Sequence, residues 1–319
     1  MKTAKTLFAA GLALALSFGS ALAEYPERPI TLIVPWGAGG GSDGTARIVA
    51  RLLEEKLGQP INVVNRTGGG SVIGHTEIAR AKPDGYTLGN ITTELSMFHW
   101  LNQAPISYKD YTLIGLYNAD YGAVFVKADS PYKTLQDLVD AIRANPSSIP
   151  AGGANQGGVN HLAYAAMVAA AGAKGAFWVP SEGAAPALQL LTSGAIKTAI
   201  VQMSEAKALM DAGEIRALAT LDTKRNPNFP NVPTVAEASD IEFSISGWRG
   251  LAAPKGLPED VTKKLVGALS EVVASEEYKK FMNDRQFGVT FAGGKDFETY
   301  LAEKDKQFGE GLKAAGLVK

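Results

Sequence analysis

The sequence predicts an α/β chain with two α/β domains around a cleft, and three observations carry that prediction. Short apolar strands alternate with amphipathic helices through glycine-rich turns. The pattern restarts after Tyr111, and the C-terminal third supplies helices without a strand set of its own. The first strand is residues 30–34. A helix follows at 45–57, where Ala46, Val49, Leu53 and Leu57 recur at helical spacing and Gly58 stops it. Residues 61–64 form the next strand, the glycine loop at 67–71 opens a helix through Ala81, and Pro83-Asp84-Gly85 turns the chain into a strand at 86–91. The alternation argues for a mainly parallel sheet with ligands outside the carboxyl ends of its strands.

The restarted pattern has strands at 111–116 and 123–126, a helix at 135–144 and a third glycine loop at 151–158 before a helix at 161–171, and the second unit is expected at roughly 124–222. Strands at 176–179, 196–201 and 215–220 follow, with a loop from Ser181 and a helical stretch at 188–191 between the first two. Helices are expected at 258–274, 276–286 and 296–314, packing back on the first unit. The chain would then cross twice, near 113–126 and 216–223, which makes a hinge over a cleft. The expected division is residues 24–123 with 223–319 as one domain and 124–222 as the other.

Residues 1–23 read as an export signal. Lys2 and Lys5 precede an apolar stretch at 7–18, and Ala21-Leu22-Ala23 supplies a peptidase site, so cleavage is expected before Glu24. The apolar core is short for a membrane span of about 20 residues. The chain has no cysteine, hence no disulfide and no lipid anchor. With the two leader lysines removed from 31 basic residues, 29 face 32 acidic ones, a net charge of −3. The absence of any basic run argues against nucleic acid and membrane surfaces as partners.

The run PWGAGGGSDGTAR, residues 35–47, joins the first strand to its helix through small residues. Bare amides there face a helix N-terminus, where orphan N–H groups and the macrodipole favour an anion. The loop therefore reads as a carboxylate or phosphate cradle. Asp43 is expected to cap the helix, or else to orient a ligand amine. Gly39, Gly41 and Gly44 also satisfy a dinucleotide fingerprint, but Asn65 stands where the ribose-binding acid is required. Gly40, Ser42 and Gly44 satisfy a hydrolase elbow, yet nothing local pairs His75, His99 or His161 with Ser42. The histidines lack metal-ligand spacing, so neither cofactor nor metal is expected. Trp36, Phe98, Trp100 and Trp248 are candidates for an apolar pocket wall, with core packing the alternative for Trp100 and Trp248.

YPERPITLIVPWGAGGGSDGTAR, NRTGGGSVIGHTEIARAKPDGYTL, GGVNHL and WVPSEGAAPALQLLTSG, in that order and spacing, resemble the extracytoplasmic solute receptors of tripartite tricarboxylate transporters, the TctC or Bug family. PNVPTVAEA and GWRGLAAPKGLP extend the resemblance over essentially the whole chain after the signal. It implies a type II periplasmic-binding-protein fold, and a non-enzymatic monomer that closes on a small carboxylate in the periplasm and delivers it to a membrane permease. Such receptors hold carboxylates with backbone amides, hydroxyls and waters. By position, the implied ligand-binding residues are Trp36, Gly37, Ala38, Gly39, Gly40, Ser42 and Asp43 in the first loop and Thr92, Thr93, Glu94 and Ser96 after the third strand. Facing them are Gln156, Gly157, Gly158 and Asn160, then Ser181, Glu182, Gly183 and Ala185. Ser181-Glu182-Gly183 stands where the family often has Tyr-Lys-Gly, so an anion replaces a cation. With Glu94 and Glu205 nearby in the pattern, the cleft is expected to disfavour a tricarboxylate. It would instead take an acid with fewer carboxylates, a cationic or hydroxyl handle, or a bridging metal. The alternatives are a sensory receptor for a membrane kinase and a hydrolase using Ser42.

Overall fold

A computed structural model describes residues 25–175, 177–226, 228–314 and 316–318. The expected export signal lies outside the described residues, as does Ala176 at the expected start of a strand.

β1 (Ile30–Val34) lies between two parallel partners, β2 (Ile61–Asn65) and β3 (Thr87–Thr92). Its residues are almost all buried, as a parallel strand covered on both faces requires. The crossovers are α1 (Gly41–Leu57) and α2 (Val72–Arg80). α1 buries Val49, Leu52 and Leu53, and ends at Gly58, whose φ of 69° is the left-handed conformation that glycine adopts without strain. α2 packs tightly on the ends of β1 and β2: a Cβ at Gly74 would stand 2.7 Å from Pro35 Cα and 2.6 Å from the Arg66 carbonyl oxygen. β9 (Ser246–Pro254) pairs antiparallel with β3 and with the first half of β4 (Tyr111–Lys127), and β10 (Ala292–Gly293) also pairs with β4.

The second half of β4 belongs to a second sheet. There it pairs antiparallel with β7 (Thr198–Gln202) and β8 (Ile215–Thr220), while β5 (Ala151–Gly152) and β6 (Trp178–Val179) run parallel to β7 beyond it. α3 (Leu135–Ala144), α4 (Val159–Ala170), α5 (Ala184–Thr192) and α6 (Met203–Asp211) accompany this sheet. α3 starts at a reciprocal cap in which Thr134 Oγ1 accepts from Asp137 N and the Asp137 carboxylate accepts from Thr134 N.

Three features differ from the sequence expectation. The two strands expected at 111–116 and 123–126 are one 17-residue strand that passes from sheet to sheet. The intervening Asn118 and Asp120 are buried and engaged by Arg249. After β8 the chain stays with the second sheet: Ile245 N donates to Leu221 O at 2.8 Å, Val235 of α7 (Val235–Ala238) and Ile241 enter its core, and pairing with the first sheet resumes at Ser246. That segment carries little periodic pattern to reveal its packing. Of the C-terminal helices, α8 (Glu259–Ala274) and α9 (Glu276–Asp284) pack against α1 and β1 through Leu265, Leu269, Tyr278 and Met282. α10 (Gly294–Ala314) is shared: Phe297 and Leu301 sit with Ile33 and Trp248, while Phe308 and Leu312 join Leu162 and Ile245 in the second core.

Candidate functional site

A cavity of about 90 Å³, several water volumes, lies where the loops of the two sheets meet. From the first sheet come Trp36, Gly40, Ser42 and the residues just beyond β3; from the second come the first residues of α4 and α5; Gln202 and Glu205 close it on the α6 side and Trp248 and Arg249 on the β9 side.

The first loop is held from beneath. α1 begins at Gly41, four residues earlier than expected, with Gly40 as its uncapped N-cap. Asp43 therefore lies inside the first turn and is not the cap. Its carboxylate accepts from Gly39 N, Arg47 Nε and Asn65 Nδ2, each at 2.9 Å. Burial pushes the Asp43 carboxyl up, but the hydrogen bonds from Arg47, Gly39 and Asn65 outweigh it and hold the group below its ordinary value. Asn65 Nδ2 also reaches Trp36 O at 2.8 Å, so Asn65, far from holding a ribose, anchors the loop.

The residues after β3 form a polar chain. Trp36 Nε1 donates to Thr92 Oγ1 at 3.2 Å, and Thr92 Oγ1 donates to Glu94 Oε2 at 2.7 Å. Thr92 N donates to His75 Nε2 at 3.1 Å, which assigns the proton to Nδ1, 2.9 Å from Ser71 O. Burial lowers the His75 pKa to about 4, so the ring is neutral and its role is to pin β3 to α2. Burial raises the Glu94 pKa, against the opposing hydrogen bonds from Thr92 and from the backbone of Val159, across the cavity at the start of α4.

Arg249 is the residue the sequence argument did not find. Its Nη1 donates to Asp120 Oδ2 at 2.6 Å and Asn118 Oδ1 at 2.5 Å, its Nε to Ser42 Oγ at 3.0 Å, and its Nη2 stands 3.8 Å from Glu205 Oε1. Burial opposes its charge, but Asp120 and Glu205 more than compensate and raise its pKa. Burial raises the Glu205 pKa, with Arg249 the main opposing influence. The one sequence signal for Arg249 is a lone charge between Gly247-Trp248 and Gly250 in an apolar strand.

Of the residues singled out from the sequence, Trp36, Gly37, Gly40, Ser42, Thr92, Thr93, Glu94, Asn160, Glu182 and Gly183 line the cavity. Ala38, Gly39, Asp43, Ser96, Gln156, Gly157, Gly158, Ser181 and Ala185 do not. Ala38, Gln156 and Ala185 are exposed, Ser181 Oγ is tied to Gly153 O and Gly183 O, and Gly157 N donates to His161 Nδ1 at 3.0 Å. Trp248 both packs edge-on against Phe297 and lines the cavity; Phe98 and Trp100 do not line it. Among the described residues no group of three His, Asp or Glu side chains is arranged to hold a metal.

The sequence profile described as "Tripartite tricarboxylate transporter family receptor" matches residues 45–317. The UPF0065 protein in the tcbD-tcbE intergenic region of Pseudomonas sp. strain P51 is 33% identical over 292 residues, 89% of this chain and 86% of that protein. The solved structure of the periplasmic binding protein BugD is 30% identical with a TM-score of 0.85, covering 92% of this chain and 100% of that one. R. palustris Rpa4515 with adipate is 26% identical with a TM-score of 0.86, covering 92% and 99%. From the first helix to the last, and on a shared two-sheet fold, this chain belongs to the tripartite tricarboxylate transporter receptor family, the TctC or Bug periplasmic solute-binding proteins.

Proposed function

We propose that the protein captures a small carboxylate between its two sheets by lobe closure and hands it to the membrane permease of a tripartite transporter. The observation that carries this reading is the convergence on one cavity of three helix N-termini, those of α1, α4 and α5, each with a glycine at its N-cap and so no cap from that residue's own side chain. Oriented N–H groups at such ends favour an anion over water. The adipate bound by Rpa4515, a small carboxylate, supports the same ligand class. In this reading residues 25–121 with 246–301 move as one lobe and 122–245 as the other, hinged at β4 and at the entry to β9. The protein works as a periplasmic monomer after loss of its leader, and it is a carrier, not a catalyst. In keeping with that, each histidine is committed away from Ser42: His75 to Thr92 and Ser71, His161 to Gly157, and His99 to Asp305 at 3.3 Å.

The test is a thermal-shift panel of mono-, di- and tricarboxylates, aromatic acids and amino acids, followed by small-angle scattering with each hit. A ligand at 100 times its Kd stabilises by about 2.7 kcal/mol, and closure reduces the radius of gyration. If no acid stabilises the protein while NADP does, the proposal fails and the dinucleotide pattern returns.

A further inference from the structure

The charges around the cavity narrow the ligand class, on the reading that it binds a small acid. Three carboxylates, Glu94, Glu182 and Glu205, line it against one guanidinium, that of Arg249. Arg249 is already committed to Asp120, Asn118 and Ser42 and stands within 3.8 Å of Glu205. Glu94 is 5% exposed and hydrogen-bonded to no basic side chain among the described residues; the Arg249 charge acts on it only at longer range. A dicarboxylate would bring two further negative charges into this setting, where like charges in a desolvated space are costly.

The helix ends give the same answer independently. Glu205 Oε1 lies 2.8 Å from where a Cβ at Gly41, the start of α1, would stand, and Glu94 lines the cavity together with Val159 at the start of α4. Each carboxylate comes from the opposite sheet, so the chain itself sets a negative charge near two of the three helix starts. The third, at Gly183 and Ala184 before α5, has no side-chain cap. Trp248, 1% exposed, lines the same cavity, and its Nε1 is buried without a hydrogen-bond partner among the described residues.

We infer that the ligand is a monocarboxylate carrying a protonated amine, its one carboxylate taken by the α5 N-terminus and its ammonium by Glu94, with Glu182 adding to the negative field. Glu94 is thus a specificity-determining residue: it neutralises an ammonium and repels a second carboxylate. An ammonium also supplies hydrogen-bond donors to Glu94, an acceptor-only group when ionised.

The experiment compares acids matched in length by calorimetric titration: succinate with β-alanine, glutarate with 4-aminobutyrate, and adipate with 6-aminohexanoate. The amino member of at least one pair is expected to bind at least tenfold more tightly than its dicarboxylate. Glu94→Gln should weaken that amino acid at least tenfold and narrow or reverse the preference. Glu182→Gln, on an exposed loop residue and therefore safe for folding, should shift the preference the same way by a few-fold. Dicarboxylates binding as tightly as their amino partners, or a preference unmoved in both variants, overturns this inference alone. Silence from every pair and from the wider acid panel overturns the receptor reading with it.

Discussion

His75 illustrates how one buried side chain carries a structural task that its sequence context does not reveal. Its neutral ring joins Ser71 O to Thr92 N, and burial holds its pKa near 4 against an ordinary 6.5. The unfolded chain takes up a proton between those values and the folded chain does not. Stability is therefore complete above pH 6.5 and falls as the pH drops from 6.5 to about 4, by up to about 3 kcal/mol for this residue. His161, also lowered to about 4 by burial, adds to the fall. Glu94 and Glu205, raised by burial, act in the opposite sense, because the folded state then binds protons more readily as the pH falls. Urea melts of wild type and His75→Gln at pH 7, 5.5 and 4 separate these contributions. The variant is expected to be less stable at pH 7 and to lose less on acidification; parallel curves would refute the assignment. His75 was legible in the sequence only as an isolated ring, since its partners are backbone groups that any residue supplies.

At the level of elements, α1 combines a favourable helix with a demanding N-terminus. A Cβ at Gly41 would lie 2.7 Å from Arg249 Nη2 and 2.8 Å from Glu205 Oε1. Both are side-chain ends, but Arg249 is fixed by Asp120 and Asn118 and has little freedom to withdraw. Gly41→Ala should gain up to about 1 kcal/mol of helix propensity while disturbing the contact between the α1 end and Glu205. The expected result is a melting temperature within a few degrees of wild type and at least a tenfold loss of affinity for whichever acid the panel identifies. Unchanged affinity would mean that the approach of these groups does not bear on binding. The glycine run was readable as a cradle because small residues at a strand-to-helix turn have few other uses. α1 starts earlier than the pattern suggests because glycines at 41 and 44 look like loop, whereas they lie in the first helical turn, with Gly44 N donating to Gly40 O at 2.9 Å.

For the molecule as a whole, α10 links the two cores, with Phe297 in one and Phe308 in the other. Phe308 is fully buried, so Phe308→Ala should cost about 3–5 kcal/mol, a fall in melting temperature on the order of 10 °C for a chain of this size. Because Phe308 lies far along the helix from Phe297, the variant also tests whether the two cores unfold together. A single lowered transition indicates that they do, and a split transition that α10 alone coupled them. A change of under 2 °C would show that the Phe308 site repacks without loss.

The sequence by itself determined the alternation of strands and helices, the first glycine loop as part of the cavity wall and the family pattern, because periodicity, turn residues and motif spacing are local properties. It also marked Glu94, Glu182 and Glu205 as charges out of place. Only the tertiary structure decided that Asn118 and Asp120 continue a strand, that residues 223–245 stay with the second sheet, and that α10 belongs to both cores. It alone brought Arg249 to Asp120 and Glu205, and set Glu94 and Glu205 against helix ends on the opposite sheet. The reason is physical: a buried charge is tolerable only with partners, and here those partners lie up to 207 residues away in the chain, where no local pattern records them.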